Sequence, residues 1–474
     1  MISLGLILLS LFIFINLKRE TQFLIFSIIV FYPFTYGRLK SIPDLLIMEW
    51  LTPVFFLILL NDLSPVNKAV IRRPKIIYRG LEIFILALIV LVIWTFHSYL
   101  THEILADVTQ GGTARFYYKI ILNILMFFTV IFFFSQYYED FDIEQWLKVL
   151  IAISVVIGVV RIITFFLSIN IPVLAGTFKY NPGAIRRFGG IAFRIGGLSR
   201  VTEVGLGALF ALNYLTGKNR LFLIITFFVF VFMSGGRTLM IGFVAAVMVY
   251  SMFFYKRNIF YFLVVAGLAI ILLLIFAPEK FIEGQLARIT AFSGGLQQQS
   301  KERYTAWMMQ YRNFMNNPFW GIGVTPYEGY IHVTNPKFIE RIRAMLSLGG
   351  GHGSYISILG TFGIGGIFYL LTMTLGGIIL AFKKVRLYME EDAFLAALAI
   401  FVLINLIIKS VYYTTAFNGI SDPSLFLVVG IIASVKIIEN RMEYEEFEDD
   451  YDNEEDEYDD DEYEDDYEEG ANVI

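Results

Sequence analysis

Residues 393–413, AFLAALAIFVLINLIIKSVYY, form the stretch that sets the class of fold. This run is apolar for long enough to cross the hydrocarbon core of a bilayer, which takes about 20 helical residues. Twelve further apolar runs lie along the chain, near residues 2–17, 22–36, 44–60, 81–100, 116–136, 146–168, 201–216, 221–234, 238–254, 259–277, 354–382 and 424–438. The sequence therefore predicts an all-α polytopic membrane protein, a bundle of 12–14 transmembrane helices.

The composition supports a membrane protein. The 474 residues are 57% hydrophobic, with a mean hydropathy of +0.66. A soluble domain this apolar lacks the polar surface to cover its core. The chain has no cysteine, which excludes disulfides, thiolate catalysis and cysteine-based metal sites. The first run lacks the basic region and cleavage site of a signal peptide, so we expect it to stay as a helix.

Charge separates the body of the chain from its tail. Residues 443–469 hold 20 of the 42 acidic side chains, whereas residues 1–440 hold 36 Lys and Arg against 22 Asp and Glu. The tail is too acidic to bury apolar surface and is predicted to be disordered. The short basic connectors, near residues 68–79, 218–220, 256–257 and 383–386, fall on one side by alternation. The positive-inside rule makes that side cytoplasmic.

This topology divides the chain into four parts. Residues 1–277 form transmembrane helices with an outer basic loop at 169–200, and residues 278–353 form a large extracytoplasmic loop. Residues 354–440 form the C-terminal transmembrane helices, and residues 441–474 form a disordered acidic cytoplasmic tail. Within the large loop, KERYTAWMMQYRNFMNN at 301–317 predicts an amphipathic helix.

Arginines are concentrated in the outer segments, where membrane insertion disfavours them. Arg194 and Arg200 lie in the basic loop, Arg237 lies in a tight SGGRT connection, and Arg303 lies in the large loop. Guanidinium groups suit phosphate oxygens and stay charged at any relevant pH. We therefore expect an anionic, lipid-borne ligand such as a polyprenyl pyrophosphate. The alternative is that the arginines extend to lipid headgroups.

His352 is the candidate for general acid–base catalysis. It stands in SLGGGHGSYISILG, where a glycine-rich outer stretch enters an apolar helix. A neutral imidazole can accept a proton from an attacking sugar hydroxyl, although a structural histidine at a helix start is the alternative.

Outer carboxylates are scattered, so we predict a site without metal. Glu203 and Lys409 lie near the outer ends of their spans, and charges inside spans usually face an interior cavity.

Four motifs, in order along the chain, resemble those of the O-antigen ligase and O-antigen polymerase superfamily of bacterial cell-envelope glycosyltransferases. They are RIGGLSRVTEVGLGALFALN (194–213), SGGRTLMIGFVAA (234–246), RYTAWMMQYRNFMNNPFWGIG (303–323) and HGSYISILGTFGIGGIFYLL (352–371). Two positions depart from the family pattern. Gly353 stands where the family usually has Asn, and the Pro-Asn element after Arg200 is missing.

The resemblance implies a GT-C-like fold and transfer of a glycan from undecaprenyl pyrophosphate to an acceptor hydroxyl, with no metal and no cofactor. By the same resemblance Arg237 and Arg303 hold the pyrophosphate, Arg200 or Arg194 assists, and His352 activates the acceptor, so that His352 and Arg237 are the catalytic pair. The candidate contacts for the glycan or acceptor are Trp307, Tyr355 and Glu203.

Two functions within the superfamily remain open. We favour a polymerase, which joins lipid-linked repeat units, over a ligase, which transfers the glycan to lipid A–core or another final acceptor. A flippase or transporter for lipid-linked glycans is the alternative from another class. The resemblance also implies a multi-pass protein of the bacterial inner membrane with an extracytoplasmic active site. Chain-length regulators and flippases are its implied partners, and nucleic acid is not.

Overall fold

A computed structural model describes residues 12–32, 47–62, 79–101, 112–166, 198–234, 237–254, 301–321, 354–414 and 422–458. Every regular element within these ranges is helical. In chain order the helices are α1 (Arg19–Phe31), α2 (Ile47–Asn61), α3 (Glu82–Thr101), α4 (Gly112–Tyr137), α5 (Ile143–Phe166), α6 (Leu198–Thr216), α7 (Leu221–Ser234), α8 (Arg237–Phe254), α9 (Lys301–Asn316), α10 (Ser354–Leu371), α11 (Gly377–Tyr388), α12 (Ala393–Tyr412) and α13 (Pro423–Tyr458). A π-helical turn joins α10 to α11.

Five of these helical stretches are long and apolar enough to cross a membrane: α4, α5, α10 continued through α11, α12, and the first part of α13. Shorter apolar helices occur in α2, α3, α7 and α8. These helices confirm the prediction of an all-α, multi-pass membrane protein. The predicted span at 259–277 and most of the span at 2–17 lie outside the described residues, so the number of 12–14 helices stays a prediction.

Helix α12 is the centre of the bundle. Every side chain from Leu395 to Lys409 is buried, and the helix packs against α6, α8, α11 and α13. A helix that is apolar all round belongs inside a larger assembly of helices. Small residues on its neighbours permit close packing. A Cβ added to Gly242 of α8 would lie only 3.3 Å from the Cα of Ile408.

The helices alternate in direction, which gives the bundle two distinct ends. One, called the connector end, holds the ion pair between Lys384 and Glu439. There Asn440 of α13 donates a hydrogen bond to the carbonyl of Arg79, just before α3. The other, called the network end, is where α6, α8 and α10 begin and α12 ends. The basic connectors at Arg79 and Lys384 therefore share one end, as the topology predicts; the compartment that this end faces stays a prediction.

Helix α10 is broken at Gly363, whereas the sequence predicts one continuous span. Gly363 has φ +57° and ψ −145°, a conformation that essentially only glycine adopts. The halves fold back on each other, since a Cβ on Gly366 would lie 3.1 Å from the carbonyl oxygen of Ile358. The N–H of Ile364, freed by the break, donates to the carbonyl of Pro318 at 3.0 Å. The sequence stretch from residue 354 thus forms a hairpin of helices before it crosses the bundle.

Helix α13 continues to Tyr458, past residue 441, at which the sequence predicts the acidic tail to begin. The exit of this helix from the bundle is held in place, because Glu439 pairs with Lys384 of α11 and Arg441 donates to the carbonyl of Ser135 of α4. A helix that is already nucleated in the bundle extends one residue at a time without a new nucleation cost. Residues 459–474 lie outside the described residues.

Candidate functional site: a buried charge network

Three charged side chains meet inside the bundle at the network end. The Nζ atom of Lys409, on α12, lies 2.5 Å from Oε1 of Glu203 on α6 and 3.3 Å from Oδ2 of Asp422, just before α13. The Lys409 side chain is 1% exposed, that of Asp422 4% and that of Glu203 6%. Charges this deeply buried are tolerated only when they are paired. Glu203 and Lys409 therefore face the interior, as expected, and their pairing ties α6, α12 and α13 together.

Arg200 is the fourth charged member of the network. Its Nη2 lies 2.7 Å from Oδ1 of Asp422. Asp422 also accepts hydrogen bonds from the hydroxyls of Tyr413 (2.8 Å) and Ser424 (2.7 Å). Burial alone would raise the pKa of Asp422, but the charges of Arg200 and Lys409 outweigh that effect. The pKa of this carboxyl therefore lies below its ordinary value, and the group stays ionised.

The local sequence explains why Asp422 is held in place. Asp422, Pro423 and Ser424 form a helix start, with Asp422 as the cap, proline at the first helical position and the Ser424 N–H donating to Oδ1 of Asp422 at 3.2 Å. The helix dipole adds to this effect, since a helix N-terminus favours negative charge. Sequence analysis missed Asp422. The available signal was an Asp-Pro-Ser start directly before the apolar run at 424–438.

The register between α6 and α12 fixes where Arg200 lies. A Cβ on Gly207 would lie 3.1 Å from the carbonyl oxygen of Phe401, and Glu203 lies beside Lys409. The two helices are therefore antiparallel. Continuing the register by one turn beyond Glu203 places Arg200 beside the last turn of α12.

Helices α8 and α10 begin at the same place. Gly242 lies against Ile408, and Arg237, the first residue of α8, lies five residues earlier, about 7.5 Å along the helix axis. The N–H of Ser354, the first residue of α10, donates to the carbonyl of Tyr413 at 2.7 Å. The starts of α8 and α10 therefore gather with Arg200 around the end of α12.

The structure describes the other predicted site residues unequally. His352 and Arg194 lie outside the described residues. Arg237 and Arg303 lie in α8 and α9, and the structure describes the backbone of each. The roles given to these four side chains by the resemblance stay predictions.

The three candidate glycan contacts differ in their surroundings. The half-buried Tyr355 donates from its hydroxyl to the carbonyl of Ser410 at 3.3 Å, and Trp307 is half-buried on α9. Glu203 is buried and already engaged by Lys409. Tyr355 and Trp307 thus retain exposed surface, whereas Glu203 lies within the network.

Helix α9, where the sequence predicts an amphipathic helix, ends in a turn that packs against α3 and α10. Trp94 of α3 donates from its indole N–H to the carbonyl of Phe319 at 2.9 Å, and the ring of Trp320 stacks on His97 with centroids 3.8 Å apart. Gly321, at φ +69°, lies directly against the α10 backbone. The turn thereby fixes α9 to the break in α10.

Within the ranges that the structure describes, no group of three or more His, Asp or Glu side chains is arranged to hold a metal ion. The two carboxylates of the network are each engaged by a cationic side chain, Lys409 or Arg200. The expectation of a metal-independent reaction still depends on the resemblance.

The middle of the chain matches a known protein family. Residues 222–371 match the family model described as O-antigen ligase. That range covers α8, α9, α10 and all but the first residue of α7, and it includes three of the four motifs that carry the resemblance. No curated protein matches the chain.

Proposed function

We propose that the chain, whose residues 222–371 match the O-antigen ligase family model, is a metal-independent membrane glycosyltransferase. It polymerises undecaprenyl-pyrophosphate-linked oligosaccharide units into a cell-surface polysaccharide, which is an O-antigen, a capsule or an exopolysaccharide. The lipid of the donor lies in the bilayer, and its pyrophosphate meets the protein at the network end.

The observation that carries this proposal is the gathering of Arg200 and the starts of α8 and α10 around the end of α12. Arg237 opens α8, and Ser354, which opens α10, follows His352 by two positions in the sequence. Helix N-termini carry partial positive charge and favour anions. Residues from three distant parts of the chain thus supply the groups that a pyrophosphate-linked donor needs.

In the proposed reaction the acceptor hydroxyl attacks the anomeric carbon of the donor sugar. A new carbon–oxygen bond forms while the bond from that carbon to the phosphate oxygen breaks, and the lipid pyrophosphate leaves. Arg237 and Arg303 stabilise the negative charge that develops on the leaving group, with Arg200 or Arg194 assisting. His352 accepts the proton of the attacking hydroxyl.

The remaining candidates have different parts in this scheme. We assign Trp307 and Tyr355 to contacts with the glycan or acceptor, since both are half-buried near the α9–α10 contact. Glu203 has a supporting part: it neutralises Lys409, which in turn helps to hold the Asp422 carboxylate beside Arg200.

The ligase reaction is the second candidate, because the matching family is described as O-antigen ligase. The chemistry is the same and only the acceptor differs: the next lipid-linked unit for a polymerase, lipid A–core or another final acceptor for a ligase. We place the network end on the extracytoplasmic face of the bacterial inner membrane. The acidic tail and the connector end then face the cytoplasm, in agreement with the positive-inside rule.

Purified protein in lipid nanodiscs, given lipid-linked repeat units and a metal chelator, tests the proposal directly. A ladder of polymer lengths from the donor alone supports a polymerase. Product that forms only after lipid A–core is supplied identifies a ligase. If neither substrate set gives product until a divalent metal is restored, the metal-independent mechanism is wrong.

Variants of Arg237 and His352 test the site and the rival function. We expect Arg237→Ala and His352→Ala to abolish polymer in cells while lipid-linked units still reach the outer leaflet. Arg386→Ala is a matched control, because Arg386 is exposed at the connector end and its loss leaves polymer unchanged. Failed delivery of lipid-linked units in the two site variants would instead identify a flippase. If both variants still make polymer of normal length, the chain is a scaffold without a catalytic role.

A further inference from the structure

We propose that Asp422 is a built-in competitor for the lipid pyrophosphate, which holds Arg200 while the site is empty and releases it when the pyrophosphate binds. The inference rests on the proposed function, because it takes Arg200 as one of the pyrophosphate ligands. Asp422 lies outside the four sequence motifs, and the binding arginines alone do not explain how the pyrophosphate is released.

The burial of the network shows which member is able to move. The side chain of Arg200 is 22% exposed, whereas Asp422 is 4% and Lys409 1% exposed. Arg200 is thus the outermost of the charged groups, and it reaches inward to Asp422 on a long, flexible side chain. Lys409 is enclosed between two carboxylates and stays in place.

Asp422 stays satisfied when Arg200 leaves. Its two oxygens also accept hydrogen bonds from Lys409, from the Tyr413 hydroxyl and from the hydroxyl and N–H of Ser424. Carboxylate and phosphate present the same kind of oxygen anion to a guanidinium. The exchange therefore replaces one anionic partner of Arg200 by another, while Asp422 keeps Lys409 as a cationic partner.

The exchange also has a consequence for turnover. A ligand that binds only a minor state of its site has an apparent Kd equal to the intrinsic Kd divided by the fraction of molecules in that state. Here the minor state is the one in which Arg200 is free of Asp422. Asp422 thus weakens binding of the lipid pyrophosphate, which is both the anchor of the donor and the product that must leave after transfer. Recapture of Arg200 by Asp422 promotes release of that product.

Binding of farnesyl pyrophosphate to the protein in nanodiscs of uncharged lipid tests the exchange. We expect Asp422→Asn, which keeps the helix cap, to bind the probe about tenfold more tightly, the factor that follows if Asp422 holds Arg200 in about 90% of empty molecules. Asp392→Asn is the matched control. Asp392 also caps a helix, accepting from the N–H groups of Phe394 and Leu395 at the start of α12, but it lies at the connector end, so its substitution changes affinity by less than about twofold. Weaker binding in Asp422→Asn would mean that Asp422 orients Arg200, which overturns the exchange.

Two further variants keep the test decisive if Asp422→Asn folds poorly. Tyr413→Phe removes one donor from Asp422, so that Asp422 holds Arg200 more firmly and the probe binds a fewfold more weakly. In an Arg200→Ala background both substitutions lose their effect, because the competing pair no longer exists. Effects that persist without Arg200 overturn the inference. Wild-type protein that does not bind the probe at all overturns the proposed function as well, and so the two failures are distinguishable.

Discussion

Ion pairs in the bundle differ in burial. The connector end has both a buried pair, Lys384 with Glu439 at 7% and 12% exposed, and a more open one. At the connector end, the pair between Arg19 and Asp62 is partly open, with side chains 27% and 19% exposed. At the network end, Lys409 and Asp422 are 1% and 4% exposed. Water and salt screen the Arg19–Asp62 pair and weaken it. Water and salt do not screen the Lys409–Asp422 pair in this way, so each of its buried charges is stabilised only by its partners in the network.

The difference in burial indicates that the Arg19–Asp62 pair and the buried network have separate roles. Partly exposed pairs at the connector end help to fix where helices leave the bundle, and similar pairs occur on many proteins without a ligand. The network at the other end has two cations and two anions, of which only Arg200 is more than 6% exposed, and it adds little net stability over apolar packing of the same volume. Its presence at the place where α6, α8, α10 and α12 meet is instead typical of a membrane site that handles charge.

The largest effect is expected from Lys409→Met. This change leaves Glu203 and Asp422 buried together without the cation between them, which destabilises the fold by about 3–5 kcal/mol. Thermal unfolding in detergent, followed by tryptophan fluorescence, measures the loss. A variant that also carries Glu203→Gln and Asp422→Asn recovers much of the stability. If Lys409→Met unfolds at the wild-type temperature, the charges are not sealed from water.

A smaller effect is expected from Gly363→Ala, at the break in α10. Its backbone conformation opposes any side chain, and an added Cβ would collide with the carbonyl oxygens of Pro318 and Phe319. We expect a loss of about 2–4 kcal/mol in thermal unfolding.

Gly217→Ala is the matched control for this substitution. Gly217 also has a positive φ, +62°, but it lies at the connector end with no atom within 4 Å of an added Cβ. It should lose only about 1 kcal/mol, from backbone strain alone. Equal losses at the two glycines would show that the contact between the α9 turn and α10 does not constrain the break.

Asp62→Asn tests the connector end. The pair with Arg19 is partly exposed, so we expect a loss of about 1 kcal/mol or less. The loss should shrink as salt is raised, because added ions screen the wild-type pair. Thermal unfolding at low and high salt measures this dependence, with Asp422→Asn as the comparison whose effect salt changes little. A loss at Asp62 that is as large and as insensitive to salt as the one at Asp422 removes the distinction between these two ion pairs.

The smallest effect is expected from Lys148→Gln. Lys148 and Glu144 are neighbours on α5, with side chains 56% and 46% exposed. A pair of this kind contributes about 0.3–0.5 kcal/mol, which is close to the error of an unfolding measurement. A loss above about 1 kcal/mol would show that this part of α5 is more enclosed than its exposure indicates.

Much of the fold could be predicted from the sequence because the bilayer fixes helix length. The apolar runs at 221–234 and 393–413 end within a residue of α7 and α12. The break at Gly363 was not predictable in this way. Several glycines surround it, and the one that departs from helical geometry is the one that the turn at Pro318 and Phe319 contacts.

The candidate site was predictable in part, by type of residue more than by partner. Arg200, Glu203 and Lys409 stood out as charges beside or within apolar runs. Asp422 did not, because a single acid before a helix is usually a cap and nothing more. It became informative only when the fold placed it beside Arg200, from which it is 222 positions distant.

The sequence by itself determined the membrane class, the positions of the apolar helices that the structure describes and the basic segments between them, because hydropathy and charge act locally along the chain. Tertiary structure alone decided which charges became partners and where α10 turned back on itself. Those outcomes depend on side chains from distant helices that meet in an apolar interior, where a charge must find its counterpart or be excluded. The meeting of Arg200, Glu203, Lys409 and Asp422 is such an outcome of packing.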